Sequence, residues 1–184
     1  MRAAMLAVMG LAAASGCTGR LVKEGLGGVT GGSGSVFVLA EQSGYSLPDS
    51  LAAYRSFELG AFSDDMLGRA PAGLQMYLSD AFAKALKGAK IANAPKGKTL
   101  LIRGRILHYE DASRLTKQLN PLEEAVARVE FVDKATGQVL CTANCVGRTD
   151  STSSMGVRHK AEGLAKAILK YIDPRYPKDQ RAAE

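Results

Sequence analysis

The sequence predicts an α+β fold, a two-layer sandwich in which a mostly antiparallel sheet of four or five strands carries two helices on one face. Apolar residues repeat with strand periodicity in five segments and with helix periodicity in two. Two of the strand segments are joined by a short turn that contains a glycine, as in a β-hairpin. Residues 35–173 hold all of these segments, which is enough chain for one hydrophobic core and too little for two domains.

The composition excludes several classes of protein. The 184 residues are 46% hydrophobic and 23% charged, as in an ordinary globular domain. A net charge of +6 is too small to indicate a nucleic-acid-binding protein, and no nucleic-acid partner is expected. Three cysteines, an odd number, exclude a disulfide scaffold in which every cysteine pairs within the chain.

Residues 1–16 are predicted to be an export signal. Arg2 supplies one positive charge, and the apolar run Ala3–Ala14 is too short to span a membrane as a helix. The run ends in Ala14-Ser15-Gly16-Cys17, which resembles the lipobox of bacterial lipoproteins, with alanine where leucine is most usual. The resemblance implies that Cys17 becomes the first mature residue and carries diacylglyceryl and N-acyl chains, which anchor the protein in a membrane. Thr18 after the cysteine implies sorting to the outer membrane, facing the periplasm.

Residues 17–34 are predicted to form a flexible tether between the lipid and the domain. Seven glycines lie between Gly19 and Gly34. Such a segment behaves as a flexible coil with a root-mean-square span of about 20–25 Å. A tether is favoured over a phosphate-binding loop because no strand precedes the glycines and no Gly-Lys-Ser/Thr follows them.

The first half of the domain is predicted to contain two strands and a helix. Val36–Ala40 is an apolar run of strand length, and Tyr54–Phe62 alternates, with Phe57, Leu59 and Ala61 on one face. Apolar residues at three- and four-residue spacing then predict a helix with Pro71 at its first position and Gly88 at its end.

The second half is predicted to contain a strand, a hairpin and a helix. The strand is Lys98–Tyr109, and the hairpin joins Glu124–Val132 to Gln138–Val146 through a turn that ends in Gly137. The last helix is expected from about Met155 to Ile172, with Ser153 or Ser154 as its cap and Pro174 after its end. Residues 174–184 are predicted to be a frayed tail.

A wider resemblance rests on four segments, Val36–Leu39, Ala85–Gly88, Leu100–Ile106 and the hairpin Val129–Leu140, together with the terminal helix. With the lipobox, this pattern resembles a family of uncharacterised bacterial envelope lipoproteins, a domain-of-unknown-function family that shares a G-x-I-like strand and a D-x-x-T-G hairpin. The layout is also similar to the small α/β domains of the curli secretion lipoprotein and of the N-terminus of the Tol-system propeller protein. The resemblance implies no active-site residue, and likeness of fold does not establish function.

The search for chemistry finds no catalytic set, no cofactor motif and no metal-ligand spacing. His108 is expected on the strand face of Ile102 and Ile106, near the strand end, and His159 on the solvated side of the last helix. Neither histidine has a second ligand at metal spacing. The carboxylate pairs Asp64-Asp65 and Glu123-Glu124 are adjacent in sequence, so they do not converge on one point.

Cys141 and Cys145 are predicted to share the apolar face of one strand. At about 3.3 Å per residue they lie about 13 Å apart, too far for a disulfide in a regular strand. They are interpreted as core-filling thiols. An intermolecular or redox role is the alternative, because the expected compartment is oxidising.

The stretch between Asp80 and Glu110 contains seven basic residues and no acidic one. Arg103 and Arg105 are expected on the sheet face that the helices leave uncovered. Together with Lys96 and Lys98 they form a candidate for weak contact with an anionic partner, such as lipid head groups, peptidoglycan carboxylates or an acidic protein. The alternative is an ordinary solvated sheet surface.

These observations favour a non-catalytic, lipid-anchored periplasmic module, a binding or assembly accessory that contacts another envelope protein through its open sheet face or edge strands. An auxiliary lipoprotein of a transport or secretion complex is an alternative. A second alternative is an envelope hydrolase built around His108 with Arg103, Arg105 or Glu110, which requires a concave pocket with His108 in its wall.

Overall fold

The computed structural model of the chain describes residues 32–91, 93–94, 97–110, 123–149 and 156–182. The predicted signal segment, Cys17, most of the predicted tether and Lys96 lie outside the described residues, as do Ser153, Ser154 and Met155. Among the helices that are described, none has the length and apolar character needed to cross a membrane.

The described residues form one five-stranded sheet and two helices, which confirms the predicted α+β class. The strand order is β1-β5-β4-β3-β2, and only the β2–β3 pair is parallel. The elements are β1 (Ser33–Glu41), β2 (Tyr54–Asp64), α1 (Leu74–Gly88), β3 (Lys98–Tyr109), β4 (Glu124–Asp133), β5 (Val139–Arg148) and α2 (Val157–Ile172).

The predicted hairpin is present between β4 and β5. Gly137 has a φ of 74°, which a glycine adopts without strain. The Asp133 carboxylate accepts the backbone N–H groups of Ala135 and Thr136 at 3.0 and 3.2 Å, so one buried side chain fixes the turn. The sequence located this unit correctly because all of its signals are local.

The two helices end as expected but begin differently. α1 ends at Gly88, as predicted, yet it begins at Leu74 rather than at Pro71. Pro71 lies in the preceding turn, where its carbonyl accepts the Leu74 N–H at 3.0 Å. The N-cap position of α2 is Gly156, and neither helix has a side-chain cap hydrogen bond.

α2 packs directly on the backbone of β1 and β5 through glycines. A Cβ atom added to Gly163 would lie 2.5 Å from the Ser33 carbonyl oxygen and 2.7 Å from the Gly147 Cα. Gly34, assigned from the sequence to the flexible tether, is instead the second residue of β1 and is buried beneath α2. The strand therefore begins within the predicted tether, because these glycines allow the close approach of a helix.

Two strand irregularities change which side chains face the core. In β2 the pairing with β3 shifts between Leu59 and Phe62, so Phe62 packs against the core and Ala61 is exposed. In β3 the pairing with β4 shifts between Ile106 and His108. Tyr109 is buried in consequence and His108 is half exposed, so the prediction that His108 shares a face with Ile106 is wrong.

The segment predicted to be a frayed tail is folded against the domain as far as residue 182. Tyr176 is buried with its ring edge against Phe57, at a centroid distance of 5.7 Å. The Arg181 guanidinium donates to the Ala89 and Asp173 carbonyls, and the Ala182 N–H donates to the Lys90 carbonyl at 2.8 Å. The polar composition of this segment predicted fraying, but the buried Tyr176 ring attaches the segment to the core.

Candidate functional site

The two outer strands of the sheet are the first candidates for a contact surface. β1 and β2 each pair with a single neighbour, so each has one edge of backbone groups without a strand partner. Such an edge is a template for pairing with another chain unless the protein covers it. Each of the two edges of the described sheet is therefore a candidate surface for strand pairing.

The edge of β2 is covered at its beginning by the segment that follows α1. The Asn93 side chain accepts the Phe57 N–H at 2.9 Å and donates to the Phe57 carbonyl at 3.2 Å. The Ala94 N–H donates to the Arg55 carbonyl at 2.8 Å. Asn93 thus imitates a paired strand residue, and an added strand would have to displace it.

The end of the same edge is covered by a residue of α1. The Gln75 amide accepts the Phe62 N–H at 3.1 Å and donates to the Gly60 carbonyl at 3.2 Å. Two side-chain amides on separate elements therefore satisfy the outer backbone groups of β2. This edge is closed to strand pairing.

The edge of β1 is open in its central part. In the described chain, no hydrogen bond reaches the backbone of residues 35–40 from outside the ladder with β5. Phe37, Val38 and Leu39 are 50, 45 and 51% exposed, and they are half of the large hydrophobic residues that the described chain exposes. Open backbone groups and apolar side chains together form a surface that water solvates poorly. We call residues 35–40 the open edge.

Charged side chains frame the open edge at both ends. Lys166 and Lys170 of α2 donate to the Gly32 and Gly34 carbonyls at 2.8 and 2.6 Å. At the other end Glu41 forms an ion pair with Arg175, with 3.0 Å between the nearest charged atoms. Residues 33–40 between these ends carry no charge.

The basic residues predicted to contact anions are paired within the chain where the structure describes them. Arg103 lies 2.9 Å from Glu130, and Arg105 lies 3.4 Å from Asp65. Both arginine side chains are half exposed on strand β3.

Lys98 belongs to a separate cluster at the hairpin, 3.1 Å from the buried Asp133, which also accepts the Tyr54 hydroxyl. Burial alone would raise the pKa of Asp133, but the hydrogen bonds from Lys98, Tyr54 and the turn N–H groups lower it to about 2. Three of the four basic candidates therefore have carboxylate partners, and their contact with an external anion stays a prediction.

His108 does not lie in the wall of a described cavity. Its Nε2 atom is 4.0 Å from the Glu110 carboxylate, and both side chains are half exposed. The groove of about 600 Å³ between α1 and α2, and two smaller cavities, are lined by other residues. The hydrolase alternative required His108 in a concave pocket, and these cavities do not provide it.

The two strand cysteines fill the core, as predicted. Cys141 and Cys145 are free and buried on β5. Burial raises the pKa of Cys141 to about 11 and that of Cys145 to about 12. Thiols react as thiolates, and burial together with the raised pKa values favours the protonated form of both groups at neutral pH.

A buried ion pair at one end of the sheet was missed by the sequence analysis. The Lys160 side chain on α2 is fully buried, with its ammonium 2.8 Å from the Glu123 carboxylate and 3.9 Å from the centre of the Tyr109 ring. The ammonium also donates to the Glu110 carbonyl. The available signal was a lysine between Val157 and Leu164, within an apolar stripe of helical spacing.

The residues of this ion pair form hydrogen bonds at the start of α2 and just after β5 and β3. Besides Lys160, the Glu123 carboxylate accepts the Gly156 N–H at 3.3 Å, at the start of α2. The Glu123 carbonyl accepts the Thr149 N–H at 3.0 Å, just after β5. Because Lys160 also reaches the residue after β3, the pair fixes the position of α2 on the sheet. Its role is structural.

Comparison with known proteins shows the fold. No family model and no curated protein matches the chain. A PelC variant dodecamer from Paraburkholderia phytofirmans is similar over 77% of this chain and 98% of that chain, with a TM-score of 0.50 and 14% identity. A second PelC dodecamer structure from the same organism gives a TM-score of 0.49, with 14% identity over 75% of this chain and 96% of that chain.

A minor lipoprotein from Acinetobacter baumannii gives a TM-score of 0.39, with 12% identity over 65% of this chain and 93% of that chain. At these identities the chain shares a fold with PelC, and nothing about its activity follows.

Proposed function

We propose that this protein is a non-catalytic, lipid-anchored periplasmic module, an assembly accessory of the bacterial outer membrane that binds another envelope protein through its open edge. The observation that carries the proposal is the contrast between the two sheet edges. β2 is covered by Asn93 and Gln75, whereas residues 35–40 of β1 present backbone groups and apolar side chains to solvent.

The place of β1 in the chain supports this function. β1 begins at Ser33, sixteen residues after Cys17, the proposed site of acylation. A glycine-rich chain of that length has a root-mean-square span of about 20–25 Å. The open edge therefore belongs to the first described element after the proposed anchor, within reach of other proteins on the same membrane.

The fold is compatible with assembly. PelC, whose fold this chain shares, is described as a dodecamer. For the present chain we take from this only that a domain of this shape can associate with copies of itself or with other subunits. The paired charges on the sheet face and the buried core thiols give no competing reason to expect catalysis.

The anchor is tested by comparing the wild-type protein with Cys17→Ser in fractionated cells. The wild type is expected in the outer-membrane fraction and resistant to extraction by high salt, because two or more acyl chains anchor a protein stably. The Cys17→Ser variant is expected in the soluble fraction. If that variant remains in the membrane fraction at high salt, the lipid-anchor model is wrong.

The contact surface is tested with Val38→Lys and a matched control, Met76→Lys. Both residues are exposed, at 45 and 57%, but Met76 lies on α1, away from β1. Chemical crosslinking in intact cells is expected to join the wild type and Met76→Lys to a partner, and to give little or no product with Val38→Lys. Equal crosslinking of all three proteins would show that the contact surface lies elsewhere.

A further inference from the structure

We propose that the protein bound at the open edge is a second copy of this chain, paired β1 to β1 in antiparallel orientation about a two-fold axis. This inference rests on the proposed function, which identifies the open edge as the contact surface. It adds the identity of the bound protein. The product is one continuous sheet of ten strands with the helices of both copies on the same face. Each copy supplies the same segment, as two-fold symmetry requires.

The covered edge of β2 excludes the other way of joining two sheets. Pairing of β1 with β2 of the next copy would repeat indefinitely or close into a ring. It would also require Asn93 and Gln75 to release four hydrogen bonds to the β2 backbone. Strand pairing between identical copies is therefore restricted to β1 against β1.

The charge distribution along β1 suits pairing with itself. Residues 33–40 are uncharged, so antiparallel pairing opposes no like charges. With the axis near Phe37, the first residues of one strand lie beside the last residues of the other. Lys166 and Lys170 of one copy, which lie at Gly32 and Gly34, then approach the Glu41–Arg175 ion pair of the second copy, in which the two charges offset each other. A parallel arrangement would place lysines beside lysines.

The apolar residues give the driving force. Phe37, Val38 and Leu39 lose solvent contact when a second strand with the same residues lies beside them. The regular part of the edge ends at Val38, because the ladder with β5 is irregular between Val38 and Ala40. The pairing is thus short, and tethering in one membrane helps it by raising the effective concentration of the copies.

The test is cysteine crosslinking of the full-length protein in its native membrane. Cysteine is placed singly at Val36, Phe37 and Val38, because the position nearest the axis faces its own copy across the interface. Opposed residues of antiparallel strands have Cα atoms about 4.5–5.5 Å apart, within the range of a disulfide. Leu67→Cys is the matched control, since Leu67 is the most exposed large hydrophobic side chain among the described residues and lies just after β2.

Membranes are oxidised with copper phenanthroline, and products are identified on non-reducing gels and by intact mass. The parent protein without an added cysteine gives the baseline. We expect a product of twice the monomer mass at one of the three β1 positions, several-fold above the yield of Leu67→Cys, and reversal by reductant.

Other outcomes overturn the inference and separate it from the proposed function. A β1 product that contains a different protein would exclude the second copy while supporting the open edge as a contact surface. A monomer at all three β1 positions, or dimer at Leu67→Cys in equal yield, would also exclude β1 self-pairing. Release of Cys17→Ser from the same membranes reports on the anchor independently of these results.

Discussion

β1 and β2 occupy equivalent outer positions in the same sheet, yet their edges differ. The edge of β2 is covered by side-chain amides from α1 and from the segment after it. The edge of β1 is framed by lysines and a glutamate and is left open between them. One edge is protected against association, as in most soluble β proteins, and the other lacks that protection. This difference between the two edges is the basis for proposing β1 as the contact surface.

The two helices also differ in how closely their glycines approach neighbouring elements. α2 lies so close to β1 and β5 that glycine backbones touch, and it is fixed by the buried Lys160–Glu123 pair. α1 ends in Gly88, where an added Cβ would meet nothing. α2 therefore packs closely on the half of the sheet that carries the open edge.

The largest effect on the free energy of unfolding is expected from breaking the buried Lys160–Glu123 ion pair, which holds α2 on the sheet. Lys160→Met leaves the Glu123 carboxylate buried without its cation, which costs about 3–5 kcal/mol of unfolding free energy. The measurement is urea denaturation followed by circular dichroism. Adding Glu123→Leu to Lys160→Met should recover most of the loss. A loss below about 1 kcal/mol for the single variant would show that the pair does not fix α2.

The next largest effect on the free energy of unfolding is expected at the contact between Gly163 of α2 and the backbone of β1 and β5. Gly163→Ala places a methyl group against the Ser33 carbonyl and Gly147, and we expect a loss of about 3 kcal/mol from overpacking. Gly88→Ala is the matched control on α1, and it is expected to be neutral or to stabilise the protein by up to about 1 kcal/mol. If Gly163→Ala and Gly88→Ala change the free energy of unfolding equally, the close packing at Gly163 does not contribute to stability.

A pH-dependent effect is expected at the hairpin, where Tyr54 of β2 meets Asp133. The folded-state pKa of Asp133 is lowered to about 2 from 3.8, so the ionised carboxylate stabilises the fold. Its contribution is complete above the unfolded pKa and is lost as the pH falls from about 4 to about 2. Asp133→Asn should lower the unfolding free energy by about 1–3 kcal/mol at pH 7.

The difference between wild type and Asp133→Asn should then shrink as the pH approaches 2. Urea titrations at pH 7, 4, 3 and 2 provide the measurement. A difference that stays constant over this range would show that the ionised form of Asp133 is not the stabilising species.

A smaller effect on stability is expected from uncovering β2. Asn93→Ala combined with Gln75→Ala removes the amides from that edge and should cost about 1–2 kcal/mol. The uncovered edge should now associate, which analytical ultracentrifugation over a range of concentrations detects. Asn144→Ala, which removes an amide from the sheet face at Arg128, should not change the oligomeric state. Unchanged association of the double variant would show that side-chain covering is not what protects β2.

The parts of this structure that local signals determine were predictable from the sequence. Asp133 and Gly137 define a turn by themselves, and the periodicity of α1 and its terminal glycine locate that helix. His108 was misplaced because a bulge in β3 depends on pairing with β4, which no local pattern reveals. Gly34 was assigned to the tether because a glycine that packs beneath a helix looks the same in sequence as a flexible one.

The candidate site was only partly predictable for the same reason. The apolar run of β1 was visible, but its outer position follows from the strand order, which depends on contacts distant in sequence. The edge of β2 is covered by Asn93 and Gln75. In the sequence they are ordinary polar residues, because only the fold places their amides beside the strand. Lys160 was not singled out from the sequence, because burial of a lysine requires partners from other segments that only the fold brings to it.

The most direct test of the account is hydrogen exchange of the two edge strands, compared between the protein in its native membranes and the dilute, detergent-solubilised monomer. Peptides covering residues 33–41 and 54–64 report on β1 and β2 separately. If β1 is the contact surface, its amides exchange several-fold more slowly in the membrane, and those of β2 exchange equally in both states. Unchanged exchange in β1, or protection gained by β2 instead, would contradict the account.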